Sequence, residues 1–290
     1  MRWLMMGCGK ASTALSQLLL AVNEDIVGAV TPRPHANAGQ RYRQRFQTPV
    51  MDLDEARQSS LWGHIDIIAV CTPDDRIAQT AHLLSQCQSS ATMAIHLSGS
   101  LDHHALDALR DVGVSTASMH PLAALTESLP DDWAKGIYFG LEGDERAVAT
   151  CCEFVRRWNG EVLLLNASDK AKYHAAAVLA SNALVALADV AARLMPGDAG
   201  IHPLLPLMQT SLDNIARLGI NKALTGPVSR GDTATISRHL DALAFDPVLL
   251  QLYRDLTTVM AQVADSVDGE HPARRQQIAE LFATRGWTTS

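Results

Sequence analysis

Positive charge is scarce in this chain. Its 24 lysines and arginines face 31 aspartates and glutamates, a net charge of −7 with histidine neutral, which argues against a general nucleic-acid binder. Cysteine is scarce too: Cys8, Cys71, Cys87, Cys151 and Cys152 form no ligand-type spacing. An odd count without a secretory signal implies reduced thiols, and no metal is expected. Neither end carries a basic signal peptide or a long apolar span, so the expectation is a cytoplasmic protein with no membrane contact. There is no internal repeat and no low-complexity segment. What the chain does hold, over 290 residues, is 47% apolar side chains, enough for one large globular domain or two moderate ones.

The organising stretch comes first. Trp3-Leu4-Met5-Met6 is a short apolar run, Gly7-Cys8-Gly9-Lys10-Ala11-Ser12 follows, and Ala14, Leu15, Leu18, Leu19 and Val22 then share one helical face. Strand, glycine turn and helix, with a second apolar run at 26–30, make a βαβ unit. Gly7 suits the tight turn. Gly9, lacking a Cβ, lets a pyrophosphate lie against the backbone where the free N–H groups of the helix N-terminus point outward. Ser12 stands where the dinucleotide fingerprint has Gly or Ala. Gly7, Cys8, Gly9, Lys10 and Ala11 are therefore candidate cofactor residues. No carboxylate occurs between Thr31 and Val50. An acid after the second strand would accept from both ribose hydroxyls and select NAD, whereas a hydroxyl or guanidinium suits a 2′-phosphate. Thr31 and Arg33 thus point to NADP, with NAD as the alternative.

Further apolar runs at 65–70, 93–96 and 114–119 predict strands of a doubly wound, mostly parallel sheet, whose carboxyl ends form the binding crevice. Cys71, Thr72 and Pro73, then Ser98 and Gly99, should line the cofactor. Ser98 and His120 are also candidate substrate contacts, while His96, inside its strand, reads as a hydrogen-bonded core residue. A strand at 136–141, a helix at 144–158 and a strand at 162–165 complete the domain, placed at 1–166.

From 167 to 290 no strand is apparent, and runs of Ala and Leu predict a helical domain. Lys170 and His174 are four apart and share a helix face, with Ser181 almost three turns beyond Lys170. One reading is an Ala-rich packed helix whose Lys170 and Lys172 face water. The other gives Lys170 or His174 the task of supplying a proton to a carbonyl oxygen or imine nitrogen, with Ser181 and Asn182 orienting substrate. Between later helical runs, Thr225, Ser229 and Arg230 can bind an anion such as a substrate carboxylate, and Asp232 suits the N-cap of the next helix.

Gly7-x-Gly9, Ile95-His96-Leu97-Ser98-Gly99, His120-Pro121-Leu122, Lys170 with Tyr173-His174, Ser181-Asn182, and Leu224-Thr225-Gly226-Pro227-Val228-Ser229-Arg230-Gly231-Asp232 together resemble one family. It comprises bacterial Rossmann-like proteins whose C-terminal half is the domain of unknown function numbered 2520. That family is similar to the group containing 6-phosphogluconate dehydrogenase, ketopantoate reductase and pyrroline-5-carboxylate reductase. The resemblance implies an NADP-dependent reductase and supplies no substrate; with Arg230 as an anion clamp, the expected substrate is a small ketone or imine that bears a carboxylate, and the apolar content of the helical domain leads to the expectation of a homodimer. In ketopantoate reductases a lysine and asparagines open that domain; Lys170 matches the lysine, and His174 departs from the pattern where an asparagine is often found. The rival expectation is a dinucleotide-binding regulatory or sensing module without turnover.

Overall fold

A parallel strand covered on both faces must be apolar at consecutive positions, and the segments with that pattern build the central sheet. The computed structural model describes residues 1–268 and 273–285. In chain order it runs β1 (Arg2–Met6), α1 (Lys10–Ala21), β2 (Asp25–Val30), α2 (Asn37–Phe46), β3 (Val50–Met51), α3 (Leu53–Gln58), β4 (Ile67–Val70) and α4 (Asp74–Ser85). Then come β5 (Met93–His96), α5 (Asp107–Arg110), β6 (Ser115–Pro121), β7 (Tyr138–Gly143), α6 (Glu145–Arg157) and β8 (Glu161–Leu164). The strand order is β3-β2-β1-β4-β5-β6-β7-β8. Pairs from β3 to β6 are parallel, β7 runs antiparallel to β6, and β8 is parallel to β7. The expected doubly wound, mostly parallel sheet is present. The reversal at β7 follows a connection, 122–137, that contains no helix to cross a sheet face, the element on which parallel return depends.

The two-residue period of the strands divides the core. Trp3, Met5, Ile67, Ala69, Met93 and Ile95 pack on one face with α1, α2 and α6 through Leu15, Tyr42 and Phe154. Their neighbours Leu4, Met6, Ile68, Val70 and Ala94 pack on the other with α4 and α5 through Ile77, Leu84 and Leu109. Chain order reverses between β1 and β4, which makes the ends of these two strands the switch point where an open α/β sheet binds its ligand.

Beyond β8 every regular element among the described residues is helical: α7 (Lys170–Ala180), α8 (Asn182–Arg193), α9 (Leu205–Leu218), α10 (Ile220–Ala223), α11 (Pro227–Arg230), α12 (Thr233–Ala242), α13 (Pro247–Asp268) and α14 (Ala273–Thr284). The chain separates into two compact units, Met1–Ala183 and Leu184–Ser290. The division falls after α7, rather than before it at 166–167, because α7 is fastened into the first unit by a buried lysine. The second unit has its own core, in which Val228, Ile236, Leu240, Ala261, Ile278 and Phe282 meet. Asp232 caps α12 as expected, its carboxylate accepting from the Thr235 N–H at 3.0 Å.

Candidate active site

The glycine turn after β1 shows two different needs for glycine. Gly7 has φ +107°, and a Cβ there would lie 2.9 Å from the Cys71 carbonyl oxygen, so the turn is both left-handed and crowded by the end of β4. A Cβ at Gly9 would meet no atom of the described residues within 4 Å. Gly9 is the N-cap of α1, no side chain caps that helix, and its first turn holds no acid. The protein itself therefore does not require glycine at this position, whereas a phosphate seated against the helix N-terminus would. Beside Gly7, the Thr72 hydroxyl is buried with no hydrogen-bond partner among the described residues. Arg33 is exposed and no ion pair is found for it among the described residues, while Arg43 donates to the Val50 carbonyl at 2.6 Å and Arg45 to the Gln17 side chain at 2.8 Å. The glycine turn and its open helix N-terminus fit a dinucleotide. Burial raises the Cys8 thiol to about 11 and Cys71 to about 12, so neither is a nucleophile at neutral pH.

At the ends of β5 and β6 a second group of side chains converges. Lys170 is 1% exposed, and its ammonium donates to the Ser98 carbonyl at 3.0 Å and the Ser118 hydroxyl at 2.7 Å. It does not face water. Burial lowers it to about 8, against the pull of Glu142, Asp102 and Asp74. One turn along α7, Tyr173 Oη pairs with His120 Nδ1 at 2.9 Å. The His174 ring stands edge-on to His120 with centroids 5.6 Å apart, and its buried Nδ1 has no partner among the described residues. Gly99 lies under both rings: a Cβ there would be 2.3 Å from His174 Nδ1 and 2.8 Å from His120 Nε2. Gly140 makes room in the same way, since a Cβ would lie 2.5 Å from Tyr173 Oη.

The surroundings keep most of these rings neutral. Burial pushes both His96 and His120 down to about 4 and Tyr173 up to about 12. His96 is the core residue expected of it, accepting the Ser98 N–H on Nδ1 at 3.2 Å and donating from Nε2 to the Asp102 carbonyl at 2.8 Å. The Ser98 hydroxyl is engaged too, donating to Asp74 at 2.7 Å and accepting the N–H groups of Ser100 and Leu101. Its part is to shape the loop, and the loop's carbonyl rather than the hydroxyl meets Lys170.

Ser181 and Asn182 do not join this cluster. The helix breaks at Ser181, whose φ and ψ are −121° and −72°, and the two exposed side chains bond each other at 2.9 Å. Eleven residues of helix also carry Ser181 about 16 Å along the axis from Lys170. Thr225, Ser229 and Arg230 belong to the second unit, where the Ser229 hydroxyl donates to the Gly226 carbonyl at 2.9 Å and Arg230 is exposed. Tyr173 and Glu142 were not among the expected site residues. Tyr173 shares the face of Lys170 and His174, a signal present in the sequence, whereas Glu142 lies inside β7, one residue beyond the strand expected at 136–141.

Residues 167–193 are long and apolar enough, by length and composition, to cross a membrane. Their first half is held against the sheet through Lys170 and Tyr173.

A glycine turn at the switch point of a doubly wound sheet defines the class: the fold is Rossmann-like, an architecture that binds dinucleotides at that crevice. Within it, residues 137–260 match the family model described as Domain of unknown function (DUF2520), so the C-terminal region carries that domain. Three solved structures share the architecture. A candidate NADP oxidoreductase of Bacteroides fragilis is 19% identical with a TM-score of 0.76, over 90% of this chain and 98% of its own. A protein of Thermotoga maritima is 25% identical with a TM-score of 0.69, over 91% and 98%. The pyrroline carboxylate reductase of Plasmodium falciparum, solved with NADP bound, is 14% identical with a TM-score of 0.57, over 91% and 98%. No curated protein matches the sequence. The expected kinship with pyrroline-carboxylate reductases thus holds for the fold.

Proposed function

We propose that this protein is an NADP-dependent reductase that transfers hydride to a small ketone or imine bearing a carboxylate. The observation that carries the reading is a buried ammonium, Lys170, at the loops that follow the glycine turn around the sheet crevice, held there by neutral acceptors. Gly7, Gly9, Lys10 and Thr72 would hold the pyrophosphate, and Thr31 and Arg33 the 2′-phosphate. Bound NADPH supplies the hydride. Two of the three ammonium protons of Lys170 are taken by Ser98 and Ser118, and the third goes to the carbonyl oxygen or imine nitrogen. At neutral pH a lysine lowered to about 8 is still mostly protonated yet releases its proton readily. His174 Nδ1 orients the same substrate atom, and the neutral His120–Tyr173 pair fixes the ring beside it.

The test is NADPH oxidation against a panel of 2-oxo acids and cyclic imines, run once NADPH binding has been measured. Lys170→Met and His174→Ala should each lower turnover by about 100-fold or more while NADPH still binds; lost cofactor binding would refute these roles. One observation favours a binding module without turnover, the 1% exposure of Lys170. Tight NADPH binding with no oxidation across the panel selects that reading.

We further propose a homodimer in the cytoplasm. The second unit leaves Val185 70%, Leu207 63% and Ile220 65% exposed, apolar surface of the kind that another copy covers. Sedimentation as a monomer at micromolar concentration would remove the dimer.

A further inference from the structure

The Lys170 ammonium is out of water, yet both acceptors it reaches are uncharged. A buried charge without an opposite charge is costly, and it either gives up its proton or draws on a counter-charge farther out. The sheet supplies one. Ser118 on β6 lies directly opposite Glu142 on antiparallel β7, and such pairs project on one face with Cβ atoms about 5 Å apart. Glu142 is itself 5% exposed. Its carboxylate accepts the backbone N–H of His103 at 2.9 Å and is paired with His103 Nδ1. Ser118, whose hydroxyl touches Lys170, thus stands between the ammonium and a buried carboxylate that the reaction scheme has not used.

We propose that Glu142, oriented by His103, is the counter-charge that keeps Lys170 protonated, and that it acts on catalysis as a positioning residue through that ammonium. This rests on Lys170 being the proton donor, although the first measurement below does not. Other groups face Lys170. Asp74 on α4 is engaged by the Ser98 and Ser100 hydroxyls, and Asp102 in the loop after β5 accepts the His104 N–H. His96 on β5, His120 on β6, and Tyr173 and His174 on α7 complete the surroundings. Of the carboxylates that raise the ammonium, Glu142 acts most strongly.

The chain holds five lysines, so 13Cε-lysine labelling resolves each one by NMR, with Lys170→Met assigning its signal. The titration midpoint of Lys170 should fall at least tenfold in proton affinity in Glu142→Gln. Glu142→Asp, which keeps the charge but withdraws it, should lower it less. A midpoint that moves in neither variant overturns the proposal, and Glu142→Asp decides the matter alone if Glu142→Gln does not fold. In turnover, the alkaline limb of the pH–rate profile of Glu142→Gln should move to lower pH by the same amount, so that acidification restores the rate, with KM for NADPH unchanged. A midpoint that moves under an unmoved limb upholds the counter-charge and removes Lys170 as the donor.

Discussion

Replacing Gly99 with alanine tests the geometry of the site through one added methyl group. Gly99 is buried, and its backbone lies outside the left-handed region, so the cost of the substitution is steric. The new Cβ would stand 2.3 Å from His174 Nδ1 and 2.8 Å from His120 Nε2. Ordinary contact needs about 3.5 Å, so the His174 ring must retreat by about 1.2 Å. It has little freedom to do so, because it abuts His120, which is held by Tyr173 at 2.9 Å. Overpacking of this kind costs about 1–3 kcal/mol, and misplacing a catalytic group by about 1 Å can cost about 100-fold in rate. Urea unfolding and NADPH oxidation read the two effects separately. In a His174→Ala background the clash is largely relieved, so Gly99→Ala should become much less destabilising, with a coupling of about 1 kcal/mol or more. A Gly99→Ala protein as stable and active as wild type, or one whose penalty is unchanged without the His174 ring, would refute the convergence of the two imidazoles on this point.

Three further expectations follow from the same contacts. Gly9→Ala meets no protein atom within 4 Å, so stability should stay within about 0.5 kcal/mol while NADPH binding weakens about tenfold; unchanged affinity in a calorimetric titration would remove the phosphate cradle. Arg33→Ala should weaken NADPH and leave NADH untouched, and equal losses for both would count against a 2′-phosphate contact. His96 and His120 titrate near 4 in the folded protein against an ordinary 6.5. The unfolded chain therefore binds more protons between those values, and stability should be lost as pH falls from about 6.5 to about 4. The limit is about 3 kcal/mol for buried His96 and less for His120. His96→Gln should flatten the acid limb of a urea-midpoint curve, and an unaltered limb would place the acid sensitivity elsewhere.

Much of the first unit was legible in the sequence because parallel strands buried on both faces leave unbroken apolar runs, and because a glycine turn has few physical uses. The place of His96 inside such a run marks it as a core residue, and the place of Asp232 before a helix marks it as a cap. The direction of Lys170 could not be read. On α7, Ala175, Ala176, Ala177 and Ala180 leave no apolar stripe to say which side faces inward, so the inward side chain turned out to be the charged one. The reach of α7 was also hidden. Ser181 and Asn182 extend the helical pattern in the sequence, but the backbone breaks between the two helices, and spacing on an ideal helix then carries no information about position.

The placement of Lys170 explains why α7 belongs to the first unit. A single ammonium joins the Ser98 carbonyl beyond β5 to the Ser118 hydroxyl on β6, while Asp74 on α4 grips the Ser98 and Ser100 hydroxyls from the other side. The crevice loops are thereby fixed by side chains from three elements before any ligand arrives, which lowers the ordering cost of binding. The same bonds place the ammonium on the carbonyl of the residue that precedes Gly99, over which the two imidazoles meet. In the proposed reaction, structure and chemistry share one residue, and substitutions of Lys170 must separate them. Lys170→Arg keeps a positive charge for Ser98 and Ser118 but surrenders the tunable proton, because a guanidinium does not release it in the working range. A fold retained with turnover lost in Lys170→Arg would assign the proton to this side chain, whereas turnover retained would mean that only its grip on the loops is needed.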